Sequence, residues 1–202
     1  MEVIVSRKAI VEIEAMETYA KKAFGLEVKL AEMFNLSAIP ELLVQVDWTS
    51  VLPVFFPAKF DNRQAVNSLV TAGRKKPYEE VDVMQYTGSA GSEKARLLLV
   101  ENSPRPSPDT MGQSPDSLVK SGGLWLPIPG YAIAQGLRYQ LTHDYLDPET
   151  WTWFPNERLP DGGSACGDWR PGSGDVWFSW GGSAGEYDDA GARLAIKVPS
   201  NL

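Results

Sequence analysis

The stretch from Trp151 to Arg193 constrains the fold more than any other part of the chain. It holds five of the seven tryptophans and half of the eighteen glycines. Tryptophan supplies large, stiff, half-polar area, and glycine supplies backbone freedom and close approach. A segment built from both is neither a disordered linker nor an ordinary amphipathic element. It predicts irregular, packed backbone that fixes short side chains on a surface. Strand-like pieces at 151–154, 176–180 and 192–198 are joined by Gly-rich turns.

Upstream, apolar residues at Ile13, Met16, Ala20, Ala23 and Phe24 predict a helix over 8–24, with Gly25 as its stop. Leu26, Leu30, Met33 and Phe34 continue the pattern until Pro40 ends it. Residues 42–48 and 51–56 read as strands, the second an edge or bulged strand because Pro53 lies inside it. Residues 62–70 suit a short helix, and 81–86 and 96–100 suit strands separated by a Gly-Ser loop at 88–92. Four prolines within 101–116 predict a long loop. Trp125 to Ile128 is a short apolar run, and Pro129 fits the first turn of a helix over about 130–140. Together these predict an α+β chain with an N-terminal helical segment over 1–39 and a main domain over 40–202.

Composition bounds the function. With 202 residues and 43% hydrophobic content, the chain has material for one real core. A net charge of −7 argues against a nucleic-acid partner. The one basic run, Arg74-Lys75-Lys76, precedes Glu79-Glu80 and reads as a solvated turn. No stretch approaches a membrane span, and the N-terminus does not read as a signal peptide. Display outside a cell would then go through a partner, on a virus particle or cell surface.

Catalytic and metal readings find little to build on. Gly181-Gly182-Ser183-Ala184-Gly185 fits the G-x-S-x-G pattern of a serine hydrolase. The pattern needs a following helix, and Glu-Tyr-Asp-Asp-Ala-Gly is turn-like. His143 beside Asp144 is either an oriented base or a surface histidine, and adjacent residues rarely face each other. One histidine and one cysteine exclude the usual zinc sites. Glu186, Asp188 and Asp189 offer oxygens for calcium, but they lack the alternation of a calcium loop and read as an acidic surface turn. No catalytic residue, metal or cofactor is expected. Trp151, Trp153, Trp177 and Trp180 are expected to be core for the most part, the remainder lining a contact surface.

The run Gly167-x-Trp169, Gly172, Gly174, Val176-Trp177-Phe178 and Gly191-Ala192-Arg193-Leu194-Ala195 resembles the C-terminal region of the variable proteins of diversity-generating retroelements. Gly162-Gly163 with Gly167-Asp168-Trp169 is similar to a stretched form of their Gly-Gly-x-Trp motif. Gly123-Leu124-Trp125-Leu126-Pro127 followed by Tyr131-Ala132-Ile133-Ala134 is similar to their Gly-x-Arg-Leu-Pro-Thr segment, with Trp125 in place of arginine and Ile128 in place of threonine. The motifs cover about 120–198 and resemble the archaeal-virus branch of the family.

The resemblance implies a C-type lectin-like fold of the formylglycine-generating-enzyme subtype, with a variable region over about 160–195. It implies a non-catalytic receptor or adhesin that binds a protein or other macromolecular ligand, such as one on a host cell surface. Adenine-directed mutation of such codons does not yield Trp or Glu, so Trp169, Trp177, Trp180 and Glu186 are implied to be fixed scaffold, with Gly191 and Arg193. Cys166, Asp168, Arg170, Ser173, Asp175, Phe178, Ser179, Tyr187, Asp188 and Asp189 are the implied variable, ligand-facing positions. The formylglycine-generating activity needs two cysteines, and only Cys166 is present. The sugar-binding calcium motifs of lectins have no match, since Pro155-Asn156-Glu157 carries the residues in another order. Two further functions stand beside the receptor: a viral structural or assembly protein using the tryptophan-rich tail, and a hydrolase using Ser183.

Overall fold

The computed structural model describes residues 2–44, 46, 48, 50–88 and 93–201, with side chains from Ile13 onward. The fold is α+β. Helix α1 (Glu2–Phe24) buries Ile13, Met16, Tyr19, Ala20 and Ala23 at helical spacing, one stripe facing the core. Gly25 follows it at a φ of +69°, a left-handed conformation that costs glycine nothing. A four-residue helix α2 (Leu30–Met33) and helix α3 (Ile39–Leu43) complete this part.

Here the chain departs from two sequence expectations. Pro40 opens α3 rather than ending a helix, because a missing N–H is harmless in a first turn. Leu42 and Leu43 are therefore helical, not strand, and Val44 lies in a turn. Val46 and Trp48 belong to no strand, while 45, 47 and 49 lie outside the described residues, as do 89–92 of the Gly-Ser loop.

Strand β1 (Val51–Phe56) is buried throughout and sits at a sheet edge, where Pro53 withholds no ladder bond. Helix α4 (Asn62–Thr71) starts with a capping box in which the Asp61 side chain accepts from Gln64 N and the Gln64 side chain returns to Asp61 N. The expected strand at 81–86 is instead a 3-10 turn, Val83–Gln85, because the Asp82 carboxylate captures the Met84 N–H. Strand pairing falls earlier, on β2 (Tyr78–Glu79). Strand β3 (Arg96–Glu101) pairs antiparallel with β1. The proline-rich loop holds a 3-10 turn at Pro108–Thr110 and leads into α5 (Pro115–Ser121), capped by Ser114.

Helix α6 (Ile128–Thr142) has Pro129 in its first turn and is buried on every side from Ile128 to Arg138. Such a helix must run between layers. It packs on α1, α4 and β1 and touches the second sheet through β5. That sheet contains β4 (Trp151–Arg158), β5 (Ser164–Arg170), β6 (Asp175–Gly181) and β7 (Ala190–Ala192), in the order β2-β6-β5-β4-β7. The last strand, β8 (Ala195–Lys197), returns to the first sheet, giving the order β1-β3-β8. The single strand expected over 192–198 is thus two, one in each sheet. The N-terminal helical segment shares the main apolar cluster with β1, α4 and α6.

Close packing of α1 on α6 depends on Gly136. A Cβ there would lie 2.3 Å from Tyr19 Oη and 2.7 Å from its ring. Tyr19 is 1% exposed and has no room to withdraw. Gly136→Ala, a change that stabilises an open helix, is expected to destabilise this protein by about 1–3 kcal/mol through overpacking, read from urea unfolding.

Candidate functional site

The site is the face of the five-stranded sheet turned away from α6, and it is anchored from beneath by a buried ion pair. Asp147 and Arg193 are 0% and 2% exposed, and Arg193 Nη2 meets Asp147 Oδ1 at 2.6 Å. Thr152 Oγ1 donates to Asp147 Oδ2 at 2.7 Å, Tyr131 Oη donates to the same oxygen at 2.9 Å, and Thr150 Oγ1 donates to Oδ1 at 3.1 Å. Arg193 also donates from Nε to Thr152 Oγ1 and from Nη1 to the Ser103 carbonyl. The Asp147 backbone, in the left-handed region at φ 56°, accepts from Trp169 N and donates to Pro104 O. Burial and the Asp147 charge hold the Tyr131 phenol well above its ordinary range, so it stays a donor. Gly191 sits two residues before Arg193 because a Cβ there would meet Thr110 Oγ1 at 2.8 Å.

Strand parity then divides the side chains. Cys166 pairs with Ser179, Asp168 with Trp177 and Arg170 with Asp175, and these six share the outer face. Val176 and Phe178 point the other way, toward α6. Phe178 is 1% exposed, with Tyr131 and Phe154 around its ring. The expectation of a ligand-facing Phe178 is therefore corrected: it is core. Cys166 is 3% exposed, packed in a second apolar cluster with Trp153, and burial pushes its thiol far up. It lines the floor of the site as an inert thiol rather than as a contact residue.

The tryptophans expected as scaffold also divide. Trp169 stacks on Tyr145 at 3.6 Å against the main core. Trp177 lies on the outer face, sandwiched between the Tyr78 ring at 4.0 Å and the Arg170 guanidinium at 3.5 Å. Trp180 is 42% exposed near the end of β6, so it is surface rather than core.

A cleft of about 770 Å³ runs along this face. Cys166, Asp168, Arg170, Ser173, Ser179 and Asp189 line it, with Trp151, Trp169, Trp177 and Trp180. Arg170 Nε donates to Asp168 Oδ2 at 2.9 Å. Burial nevertheless leaves the Asp168 carboxyl above its ordinary range, Arg170 pulling the other way. Asp175 lies just outside, paired with Lys75 at 2.7 Å. Tyr187 and Asp188 are exposed beyond the cleft lining, Tyr187 packing on Trp151 at 5.0 Å, and Glu186 is exposed beside them.

The sequence missed one wall. Lys75 donates to Ser173 O at 3.0 Å as well as pairing with Asp175, Tyr78 backs Trp177, and Glu80 accepts a short hydrogen bond from Ser179 Oγ. The basic run is solvated at Lys75 and Lys76 but not at Arg74, whose guanidinium lies 3.8 Å from the Tyr139 ring centre. Short-range signal for this wall is confined to Tyr78, an aromatic residue in an otherwise polar run.

The hydrolase geometry is not assembled. Ser183 Oγ donates to Asp116 Oδ2 at 3.0 Å, and turn rather than helix follows β6. His143 caps α6 at φ 60°, its ring edge-on to Tyr139. Among the described residues no three His, Cys, Asp or Glu side chains converge as a metal site, and no helix is long and apolar enough to cross a membrane. Comparisons with protein-family models, curated proteins and solved structures return no match.

Two tests follow from this geometry. Arg193→Met strands a buried carboxylate and is expected to cost about 3–5 kcal/mol in chemical denaturation. Phe178→Ala should cost a similar amount, about 3–5 kcal/mol, as a core truncation, whereas Trp177→Ala should change stability by less than about half of that. Equal losses at 177 and 178 would mean that the parity assignment is wrong.

Proposed function

We propose that this chain is a non-catalytic binding protein of the receptor or adhesin kind, a variable protein of a diversity-generating retroelement that displays its ligand-binding surface on a C-type lectin-like scaffold. One observation carries the proposal. Five positions reachable by adenine-directed mutation, Asp168, Arg170, Ser173, Asp175 and Ser179, come from two strands and one turn onto one open face. Of the residues that such mutation does not produce, Trp177 stacks within that face on Tyr78, and Trp169 packs behind it on Tyr145. A face of aromatic, short polar and Gly-supported side chains has the chemistry of an antibody paratope, where stiff rings give area at small entropic cost. Phe178 and Cys166 drop out of the ligand-facing set.

The test is to sequence the DNA flanking the gene. The expected result is a near-copy of the segment encoding residues about 160–195, differing mainly at adenines, near a reverse transcriptase gene. Mismatches should fall on codons 168, 170, 173, 175 and 179 and spare 177, 178 and 193. A flanking region without such a copy removes the retroelement assignment.

The exposed rings of Tyr78, Trp180 and Tyr187, at 47%, 42% and 43%, favour a second reading, a viral structural or assembly protein that seats a neighbouring subunit here. Sedimentation over a wide concentration range separates the two: a monomer throughout supports the receptor, and self-association lost in Trp180→Ser supports assembly.

A further inference from the structure

The cleft face carries many carboxylates, yet those its strands and flanking turn supply are already answered. Asp168 accepts from Arg170, Asp175 pairs with Lys75 at 2.7 Å, Asp147 pairs with Arg193 at 2.6 Å, and Glu149 pairs with Arg105. What this part of the cleft still offers is hydrogen-bond donors. The Arg170 guanidinium lies 3.5 Å from the Trp177 ring centre, and Tyr78 supports the far side of that ring at 4.0 Å. Nε is engaged by Asp168 at 2.9 Å. The two terminal amino groups have no protein partner among the described residues. The indole Nε1 of Trp177 is buried and likewise has no acceptor among the described residues.

A guanidinium stacked on a ring and clamped at Nε has lost its rotational freedom before any ligand arrives. Its remaining edge is a planar two-pronged fork, which matches a carboxylate bidentately in a way that a lysine ammonium does not. Fixing that fork in advance removes most of the ordering cost of using it. Further along the cleft, Asp189 lines the wall, with Glu186 and Asp188 exposed nearby and no cation paired to them among the described residues. With a chain charge of −7, this end repels a polyanion such as a phosphodiester chain but tolerates a single carboxylate.

We infer that the Arg170–Trp177 stack is a preformed carboxylate receptor, and that the cleft takes a protein partner presenting an Asp or Glu side chain to it. This rests on the outer face being a ligand-binding surface and names the partner's chemistry. It does not depend on how the surface was diversified.

The test is an NMR titration of the intact protein, following the Arg170 side-chain N–H and Trp177 indole N–H signals. The probes are the blocked peptides acetyl-Gly-Gly-Glu-Gly-Gly-amide and its Gln counterpart, with inorganic phosphate in a third arm. The Glu peptide is expected to shift both signals saturably, and the Gln peptide to bind about tenfold more weakly or worse, as loss of a charge-assisted pair requires. Arg170→Gln should abolish saturation and Arg170→Lys should weaken it, both with backbone shifts confined to the neighbours of residue 170 because the side chain is about half exposed. Equal binding of Glu and Gln peptides, unchanged binding in Arg170→Gln, or tighter binding of phosphate than of the Glu peptide would each overturn the proposal. Carboxylate binding without an adenine-mismatched near-copy keeps this receptor and removes the retroelement origin. A near-copy without carboxylate preference does the reverse.

Discussion

The buried contact between Asp147 and Arg193 is the interaction on which the other parts of the second sheet depend. Two charges taken almost wholly out of water are costly, and their attraction offsets that cost only if every remaining lone pair and proton is satisfied. Here they are. Thr150, Thr152 and Tyr131 fill the carboxylate, and Ser103 and Thr152 take the guanidinium. The partners come from α6, from β4 and from the proline-rich loop, while the Asp147 carbonyl receives the N–H of Trp169 on β5. One residue pair thus fixes a helix, two strands and a loop relative to each other, directly under the cleft.

That arrangement separates the tasks of the two faces of β5 and β6. Inward residues such as Val176 and Phe178 pack on α6 and set stability. Outward residues meet the cleft, the wall formed by 75–80, or each other. Because a strand alternates strictly, a change on one face need not disturb the other. Surface substitutions away from buried partners usually shift stability little. The outer face can therefore differ widely in chemistry on an unchanged frame.

Much of the frame was legible in the sequence, for physical reasons that can be named. Helices α1, α4 and α6 announce themselves by apolar spacing and by caps or an opening proline, and Pro53 correctly marks β1 as an edge strand. Helix α3 was hidden because Pro40 reads equally as a stop or a start, and only the tertiary structure decides. Strand β5 was hidden because Ser-Ala-Cys-Gly-Asp-Trp-Arg lacks branched residues and is defined by its neighbours. The tryptophans and glycines mark the segment that lines the cleft, but not which rings face outward. Parity puts Trp177 and Phe178 on opposite faces, and the side that α6 covers is a long-range fact. The wall at Lys75, Tyr78 and Glu80 lies about a hundred residues from the strand it supports, beyond any local pattern.

The split of the C-terminal stretch between two sheets has a consequence for incomplete chains. Residues 190–197 supply β7 to one sheet, β8 to the other, and Arg193 between them. A chain broken anywhere upstream of 190 loses both edge strands and the counter-charge of Asp147 together. What remains is a buried carboxylate without its counter-charge and two unfinished sheets, a combination that strongly destabilises the core. The fold thus works as a length check: the two sheets around the cleft are complete only in a polypeptide that includes residues 190–197.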